Sequence, residues 1–334
     1  MKKSDVVRAV LGDRYHVAPL HHGGQAFAPT NIALCKYWGK RDQDINLPLT
    51  SSLSISLGNK GATVDLRIHH GAHDEIFLNE YEVDRVSPFS KRLIEFLNLF
   101  RHHHEPRFSV HIKSNVPIAA GLASSACGFA SLIMALDALF GWKLDQRELS
   151  ILARLGSGSA TRSLWPGFVE WHSGIRGDGM DSHGVMIEET WPELCIGLLI
   201  VSEKAKGIPS REAMQRTVTT SALYSAWPAK VSRDLSLLKQ AISVCDFPLL
   251  GKTAESNATT MHATMLSAWP PITYAIPETL LAMQQVWQLR SEGLSLYFTQ
   301  DAGPNLKLLF LQKDIDTVKS HFPQAEIVQP FVGC

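Results

Sequence analysis

The chain has 334 residues, of which 45% are hydrophobic and 19% charged, and its 32 basic side chains balance 32 acidic ones. This composition excludes a disordered or low-complexity chain, and zero net charge argues against a nucleic-acid-binding protein that depends on a basic surface. At about 150 residues per domain, the length predicts two lobes, which we place at 1–187 and 188–334.

The cysteines, the N-terminal residues and the apolar runs bear on the cellular compartment of the protein. The five cysteines stand alone without a C-x-x-C pair, so they lack the pattern of a disulfide framework. Charges at Arg8, Asp13 and Arg14 interrupt the region where a signal peptide would be apolar. The longest apolar runs, such as 196–201, are too short to cross a bilayer. We therefore expect a cytoplasmic protein without a membrane partner.

Alternation of apolar and polar residues predicts strands early in the chain. The stretches 53–57, 64–68 and 108–112 each place their apolar side chains on one face. The period then changes to that of a helix over 129–140, and Gly141 stands where a C-terminal cap is expected.

A second helix is predicted to begin at Asp145, which forms a capping box with Glu148, and to end at Gly156. A short strand is expected at 168–171. The Gly-rich and charged segment 172–190 is interpreted as a surface excursion before the second lobe.

The second half mixes strands and helices without a strict β-α-β rhythm. Strands are predicted at 195–201, 294–299 and 306–311, and helices at 211–221, 247–267, 278–292 and 315–322. These elements indicate an α+β fold with two lobes.

Residues 117–126 read PIAAGLASSA between a predicted strand and a predicted helix. Small residues let the backbone approach an anion closely, and the free N–H groups at a helix start favour phosphate. Ser124 and Ser125 add hydroxyl donors. The segment predicts a phosphate-binding loop, with an ordinary strand-to-helix turn as the alternative.

Residues 28–42 read APTNIALCKYWGKRD and place Lys36 and Lys40 on either side of an aromatic pair and a glycine. A helical turn would bring both ammonium groups to one side. Two cations at one place suit a polyanionic ligand. The alternative is a solvated basic surface.

Residues 156–163 read GSGSATRS and set hydroxyls and backbone N–H groups beside Arg162. A planar guanidinium matches the oxygen pair of a carboxylate or a phosphate. The segment therefore suits an anionic ligand, and a tight turn entering a closely packed helix is the alternative.

Residues 301–305 read DAGPN directly after an apolar strand. This places Asp301 on a rigid element yet exposed, where a general base could act. A common Asp-containing turn is the alternative. We predict no metal site from side chains, because the His pairs and triplets, at 21–22 and 102–104, lack helical ligand spacing.

In their order and spacing, these four segments resemble the GHMP kinase superfamily and, more narrowly, the diphosphomevalonate decarboxylase family. Residues 117–126 are similar to the superfamily's phosphate-binding loop, and the strings KYWGK and SGS are typical of the decarboxylases. The resemblance extends from about Ala28 to Pro304. It implies a two-lobed GHMP kinase-like fold with the active-site cleft between the lobes.

The resemblance also implies an activity, in which ATP and mevalonate 5-diphosphate become ADP, phosphate, carbon dioxide and isopentenyl diphosphate. Asp301 would face the substrate's tertiary hydroxyl, Lys36 the transferred phosphate and Arg162 the substrate carboxylate. The residues implied in holding the substrate are Asn31, Tyr37, Trp38, Gly39, Lys40, Ser157, Gly158, Ser159, Ala160, Thr161, Arg162, Ser210 and Arg211. Those implied in holding ATP are Ala120, Gly121, Leu122, Ala123, Ser124 and Ser125. Mg²⁺ would be held mainly by the ATP phosphates, with Ser124 as a further ligand.

Several alternatives stay open. A sibling enzyme could decarboxylate mevalonate 5-phosphate or only phosphorylate the 3-hydroxyl, and a relative without catalytic activity could bind the ligands alone. A homodimer is expected from the resemblance. Two departures from the family pattern stand out: Glu75 lies where some relatives carry a basic residue near the diphosphate, and the first 25 or so residues precede the family's usual start.

Overall fold

The computed structural model describes residues 1–101, 105–116, 124–204 and 207–332, except for the side chain of Ser124, and has the predicted α+β fold. Within these ranges the strands are, in chain order, β1 (Gly23–Cys35), β2 (Lys40–Asp42), β3 (Leu47–Pro48), β4 (Ser52–His69), β5 (Glu75–Leu78), β6 (Tyr81–Glu82), β7 (Arg107–Ser114), β8 (Phe168–Trp171), β9 (Gly184–Ile187), β10 (Leu194–Leu199), β11 (Tyr297–Gln300), β12 (Leu306–Leu311) and β13 (Glu326–Val328). The helices are α1 (Lys3–Leu11), α2 (Pro88–Leu97), α3 (Ser124–Phe140), α4 (Gln146–Gly156), α5 (Ser210–Thr220), α6 (Trp227–Ser243), α7 (Phe247–Leu266), α8 (Pro277–Ser291) and α9 (Ile315–His321).

The first sheet is built around β4. One edge of β4 pairs antiparallel with β1, and the other pairs with β8 along its first half and with β7 along its second half. The sheet continues from β7 to β5 and β6, and from β8 to β9. The stretches 53–57 and 64–68, predicted as separate strands, are two parts of this one long strand. The predicted excursion at 172–190 returns to the sheet as β9.

Local signals placed helices α3 and α4 correctly, whereas α1 and α2 were not predicted. The capping box of α4 is present, because Asp145 Oδ1 accepts the Glu148 N–H at 2.7 Å and Glu148 Oε2 accepts the Asp145 N–H at 3.0 Å. Helix α3 ends at Phe140, and Gly141 adopts the left-handed conformation with φ of +67°. Both predictions rested on short-range backbone chemistry, which tertiary packing rarely overrides.

The N-terminal segment, for which the sequence offered no account, belongs to the first lobe. Helix α1 buries Val6, Val7 and Leu11 in the core that lies under the first sheet. Arg14 forms an ion pair with Glu148, and its carbonyl oxygen accepts the Trp142 indole N–H at 3.1 Å. The segment is therefore an integral part of the fold.

The second sheet is antiparallel, in the order β11-β12-β10-β13. The predicted strand at 294–299 begins later, at Tyr297. Helix α6 was not predicted, although its buried residues Trp227, Val231 and Leu238 follow helical spacing. The stripe also contains the buried Asp234, and this polar residue obscures the pattern.

The two lobes share strands, and this sharing positions the cavity. The first part of β4 and the last part of β1 do not pack under their own lobe but bury Ile32, Leu34 and Ile55 in a core with α6 and α7. The C-terminal end of β1 consequently emerges between the lobes. No helix in the described ranges is long and apolar enough to cross a membrane.

Candidate active site

A cavity of about 410 Å³ lies where the end of β1 meets the second lobe. It collects side chains from all four chemically suggestive segments of the sequence, including Asp301, Lys36 and Ser125. The predicted substrate-binding residues that line it are Asn31, Tyr37, Trp38, Lys40, Ser157, Gly158, Ser159, Arg162, Ser210 and Arg211. The tertiary structure thus brings together residues that are more than 250 positions apart in sequence, such as Lys36 and Asp301, whose separation is 265.

The remaining predicted substrate residues shape the site without lining it in the described structure. Ala160 and Thr161 are buried in the 3₁₀ turn Gly158–Arg162, where Thr161 Oγ1 donates to the Gly158 carbonyl at 2.7 Å. Gly39 has φ of +124°, a conformation that side chains rarely adopt. These residues set the backbone path of the segments that carry the polar groups.

Gly39→Ala should destabilise the fold. A Cβ at this position would lie 1.8 Å from the Tyr224 hydroxyl, which donates to the Trp38 carbonyl at 2.9 Å. We expect a loss of about 1–3 kcal/mol in the free energy of unfolding, measured by denaturant titration. Gly293→Ala is the matched control, because Gly293 also has positive φ, +104°, but nothing within 4 Å. Equal losses in the two variants would contradict a role for the Tyr224 contact.

The lysine pair of the KYWGK string is not on a helical turn, so that prediction was wrong. Strand β1 ends at Cys35, residues 36–39 are irregular, and Lys40 opens β2. Both lysines nevertheless face the cavity. The end of β1 and an irregular segment with positive φ at Gly39 bring both ammonium groups to the cavity, as the spacing had suggested a helical turn would do.

Asp301 is held between two buried lysines. The Lys36 ammonium lies 2.7 Å from Asp301 Oδ1, and that of Lys307 lies 3.1 Å from Oδ2. Lys36 Nζ also donates to the Ala33 carbonyl at 2.8 Å. Both lysine side chains are at most 3% exposed, whereas Asp301 is 23% exposed toward the cavity. The carboxylate is thus fixed from behind and open toward a ligand.

These contacts keep Asp301 ionised. Burial by itself opposes ionisation, but the charges of Lys307 and Lys36 and their hydrogen bonds outweigh it and hold the Asp301 pKa well below its usual range. Burial lowers the pKa of Lys36, and the Asp301 charge counteracts that shift. Asp301 is therefore suited to orient a hydroxyl and to receive its proton only as that oxygen forms a new bond.

Arg162 is fixed in the cavity wall. Its Nε donates to Ser54 Oγ at 3.1 Å, its Nη1 donates to Ser52 Oγ, and its guanidinium lies 5.8 Å from the Trp171 ring centroid. Burial lowers its pKa to about 10, which leaves it protonated at neutral pH. Its described contacts are hydroxyls and a ring rather than a carboxylate, so its charge remains for a ligand.

Hydroxyl and amide groups line the wall beside Arg162. Ser157 Oγ lies 3.2 Å from Ser125 Oγ and 3.1 Å from Ser159 Oγ. Asn31 Nδ2 donates to the Ser159 carbonyl at 3.2 Å, which secures this turn to β1. The Tyr37 hydroxyl is buried without a partner among the described residues. A buried hydroxyl in a cavity wall costs free energy unless a ligand pairs with it.

Three cations, Lys40, Arg92 and Arg211, line the cavity near one another. Lys40 Nζ donates to Asn46 Oδ1 at 2.6 Å, and Arg92 Nη2 donates to the Gly156 carbonyl at 3.0 Å. Burial and the neighbouring charge of Arg211 lower the pKa of Lys40 to about 8 and that of Arg92 to about 10. This cation cluster, defined as Lys40, Arg92 and Arg211, has the charge to suit a multiply charged anion.

Sequence reasoning missed Arg92 and Lys307. Arg92 lies on α2, whose Ser87 N-cap and Pro88 at the first turn were available signals. Lys307 interrupts the apolar strand β12, where a buried lysine between leucines signals a paired charge. Glu75, in contrast, lies near His69 at 3.4 Å and does not line this cavity, so it does not perturb the cation cluster directly.

Part of the predicted phosphate loop, 117–123, lies outside the described residues, and with it Ala120, Gly121, Leu122 and Ala123. Ser124 begins α3, and Ser125 lines the cavity. A second cavity of about 290 Å³ shares Ser125 and Arg92 with the first and is otherwise lined mainly by apolar side chains such as Leu78 and Phe129. In the described part of the chain, no group of three His, Cys, Asp or Glu residues could hold a metal ion.

The chain is similar to proteins of one family along most of its length. Residues 28–184 match the model of the diphosphomevalonate decarboxylase-like N-terminal domain, and 196–332 match that of the mevalonate 5-diphosphate decarboxylase C-terminal domain. The diphosphomevalonate decarboxylase of Aspergillus fumigatus is 38% identical over 314 residues, covering 87% of this chain and 77% of that protein. That of Bos taurus is 38% identical over 312 residues, covering 87% and 76%.

Solved structures agree with the sequence comparison. The structure of MDDEF in complex with MVAPP, AMPPCP and magnesium superposes with a TM-score of 0.85 at 39% identity, covering 92% of this chain and 96% of that chain. Mevalonate diphosphate decarboxylase from Staphylococcus aureus gives a TM-score of 0.86 at 34% identity, covering 92% and 95%. With both halves matched and the site residues gathered in one cavity, the chain belongs to the diphosphomevalonate decarboxylase family.

Proposed function

We propose that the protein catalyses the ATP-dependent decarboxylation of mevalonate 5-diphosphate to isopentenyl diphosphate. The observation that carries this proposal is a single cavity in which an ionised Asp301 held by Lys36 faces the same space as Arg162 and the cation cluster. The substrate has a tertiary hydroxyl, a carboxylate and a diphosphate, and the cavity offers a distinct group for each of them.

Asp301 and Lys36 would act on the phosphoryl transfer. The Asp301 carboxylate accepts a hydrogen bond from the tertiary hydroxyl and takes its proton as the oxygen bonds to the γ-phosphorus. The Lys36 ammonium, which lies 2.7 Å from Asp301 Oδ1, offsets the negative charge of the transferred phosphoryl group. The product of this step is the tertiary phosphate ester and ADP.

Arg162 would act on the fragmentation. When phosphate leaves with the C–O bonding electrons, positive charge develops on the tertiary carbon. The electrons of the bond to the carboxylate then form the double bond, and carbon dioxide departs. Arg162, fixed by Ser52 and Ser54, holds the carboxylate in line for this elimination, which is a positioning effect.

The described residues fit ATP with Mg²⁺. The apolar second cavity beside Ser125 suits a nucleotide base, and the start of α3 at Ser124 offers free N–H groups to phosphates. Mg²⁺ commonly binds substrate phosphates and waters with few protein ligands, which agrees with a site that has hydroxyls rather than a carboxylate cage. When bound, Mg²⁺ neutralises charge on the β- and γ-phosphates. The MDDEF complex contains AMPPCP and magnesium.

The cation cluster favours a diphosphate over a monophosphate. Three basic side chains, Lys40, Arg92 and Arg211, line the cavity, and burial already depresses the pKa of two of them. Positive charges at such short separations repel one another until an anion of matching charge binds between them. A terminal diphosphate supplies that charge more fully than a monophosphate.

The experiment compares products and substrates. Purified protein is given ATP, Mg²⁺ and either mevalonate 5-diphosphate or mevalonate 5-phosphate, and ADP and captured carbon dioxide are both quantified. We expect equal amounts of ADP and carbon dioxide with the diphosphate. Preference for the monophosphate, or ADP without carbon dioxide, would replace the proposal by a sibling activity. Tight binding of both ligands without ADP release would indicate a relative that has lost catalysis.

Lys40 should make substrate affinity depend on pH. Because burial and the nearby Arg211, Lys3 and Arg92 lower its pKa to about 8, Lys40 loses its positive charge as the pH rises through that value. We expect the KM for the diphosphate substrate to rise by up to about tenfold between pH ~7 and ~9, and Lys40→Arg to flatten this dependence. Lys313→Arg, at an exposed site, is the control. A flat KM in the unsubstituted protein would contradict the assignment.

We further propose three broader features. The lobe boundary at 187/188 is supported by β9 ending at Ile187 and by family models that meet between 184 and 196. A cytoplasmic location is supported by Cys35, Cys127, Cys195 and Cys245, the cysteines of the described chain, which form no disulfide there. A homodimer is proposed from the family resemblance. Sedimentation velocity tests it by distinguishing the mass of a dimer from that of a monomer.

A further inference from the structure

Lys307 is a buried cation that touches Asp301 but does not reach the cavity in the described structure. Its Nζ lies 3.1 Å from Asp301 Oδ2 and 3.5 Å from the Asn305 carbonyl oxygen. Lys307 is 2% exposed and pairs across the sheet with Thr299 of β11, the strand that leads into Asp301. It is not one of the residues that line the cavity.

We propose that Lys307 is a positioning residue for the phosphoryl transfer, acting through Asp301 rather than on the substrate. This inference rests on the function proposed above. Lys36 anchors one carboxylate oxygen and Lys307 the other, so the plane of the carboxylate cannot turn about its terminal bond. A carboxylate anchored at only one oxygen could rotate away from the tertiary hydroxyl.

The charge balance supports the same role. Two ammonium groups and one carboxylate give the buried triad a net positive charge, which keeps Asp301 ionised while the cavity attracts an anionic ligand. Lys36 lies on one side of the catalytic space and must also serve the transferred phosphoryl group. Lys307 therefore supplies a positive charge that stays beside Asp301 when the Lys36 ammonium interacts with the phosphoryl group.

The charged and titratable groups around Asp301 come from four elements. Lys36 follows β1, Lys307 lies on β12, Arg162 ends the 3₁₀ turn and His262 lies on α7. His262 Nε2 lies 3.1 Å from the Asp301 carbonyl oxygen. Burial and the charge of Lys36 lower the pKa of His262 to about 4, so this imidazole is neutral near pH 7. Lys307 is thus the counter-charge on Oδ2.

The test replaces Lys307 by methionine, which keeps the length of the side chain and removes its charge. Asp301 is followed by the ¹³C resonance of its carboxyl carbon during a pH titration, and turnover is measured separately. We expect the midpoint of the Asp301 titration to move to a pH at least about one unit higher. We expect kcat near pH 7 to fall roughly 10- to 100-fold, since a small misplacement of a reacting group has effects of that size.

Controls separate positioning from general damage. Lys307→Arg retains the charge and should restore the low midpoint, and Lys313→Met, at an exposed site on the same lobe, should change neither readout. If Lys307→Met does not fold, Lys307→Gln is measured in its place. An unmoved midpoint, or a moved midpoint with unaltered kcat, overturns the proposal. Failure of the proposed function would appear differently, as a protein that releases no carbon dioxide before any substitution.

Discussion

Asp301→Asn is expected to lower kcat on the order of 10²–10³-fold while the affinity for ATP stays near that of the unsubstituted protein. Asparagine keeps the shape of the side chain but cannot accept the hydroxyl proton. It also leaves the ammonium groups of Lys36 and Lys307, at 2.7 and 3.1 Å from the present carboxylate, without their counter-ion. The nucleotide base is proposed to bind in the second cavity beside Ser125, which Asp301 does not line.

The measurement for Asp301 pairs steady-state ADP and carbon dioxide release with calorimetric ATP binding. Asp316→Asn, at an exposed position of α9, is the matched control and should leave both unaltered. Near-normal turnover in Asp301→Asn would remove this residue from the mechanism. A parallel loss of ATP binding would mean that the substitution disrupts the structure of the cavity rather than the catalytic step alone.

The same substitution changes the pH dependence of stability. The folded-state pKa of Asp301 is held below its unfolded value, so its contribution to stability is present above pH ~4 and is lost as the pH falls further. Asp301→Asn removes that contribution. Denaturant titrations give the free energy of unfolding of the two proteins at each pH between ~3 and ~7. Plotted against pH, these free energies should differ between the proteins both in magnitude and in slope.

Arg162→Gln is expected to reduce carbon dioxide release on the order of 10²-fold and to reduce ADP release less. Arg162 is fixed by Ser52, Ser54 and Trp171, and its proposed partner is the substrate carboxylate rather than the hydroxyl oxygen that Asp301 orients. When the planar guanidinium of Arg162 is removed, the carboxylate of the phosphorylated substrate is no longer held in the alignment that fragmentation requires. The two steps should therefore separate, and the ratio of ADP to carbon dioxide in a single turnover should rise above one.

Arg162→Lys tests which property of the side chain matters. Lysine restores the charge without the fork, so we expect partial recovery of substrate affinity and little recovery of carbon dioxide release. Arg176→Gln, at an exposed arginine paired with Asp178, is the control. Equal losses of ADP and carbon dioxide in Arg162→Gln would place this residue in substrate binding alone.

The sequence predicted elements whose signals are local. The capping box of α4 and the alternation of β7 depend on neighbours within a few residues, and both appear where they were expected. Strand β1 was missed because residues 30–35 are buried on both faces, which removes the alternation that identifies a half-buried strand. Helix α6 was missed because its buried face carries Asp234.

The candidate site was predicted from ordered motifs and not from periodicity. Asp301, Lys36 and Arg162 each lie in a short segment with its own chemical character, so a single chain without coordinates was enough to name them. Arg92 and Lys307 lie on a regular helix and a regular strand, where the local sequence indicates a helix start and a paired charge but does not identify their partners. Only their distance from other side chains gives them a role.

The amino-acid sequence by itself determined the local elements with clear caps or alternation, the family, and the chemical groups available for catalysis. The tertiary structure decided the state of those groups. Lys36, Asp301 and Lys307 come from two distant parts of the chain, and the ionisation of the carboxylate depends on their burial and on separations of 2.7 and 3.1 Å. Coulomb interactions and desolvation act through space rather than along the chain, so their outcome requires the fold.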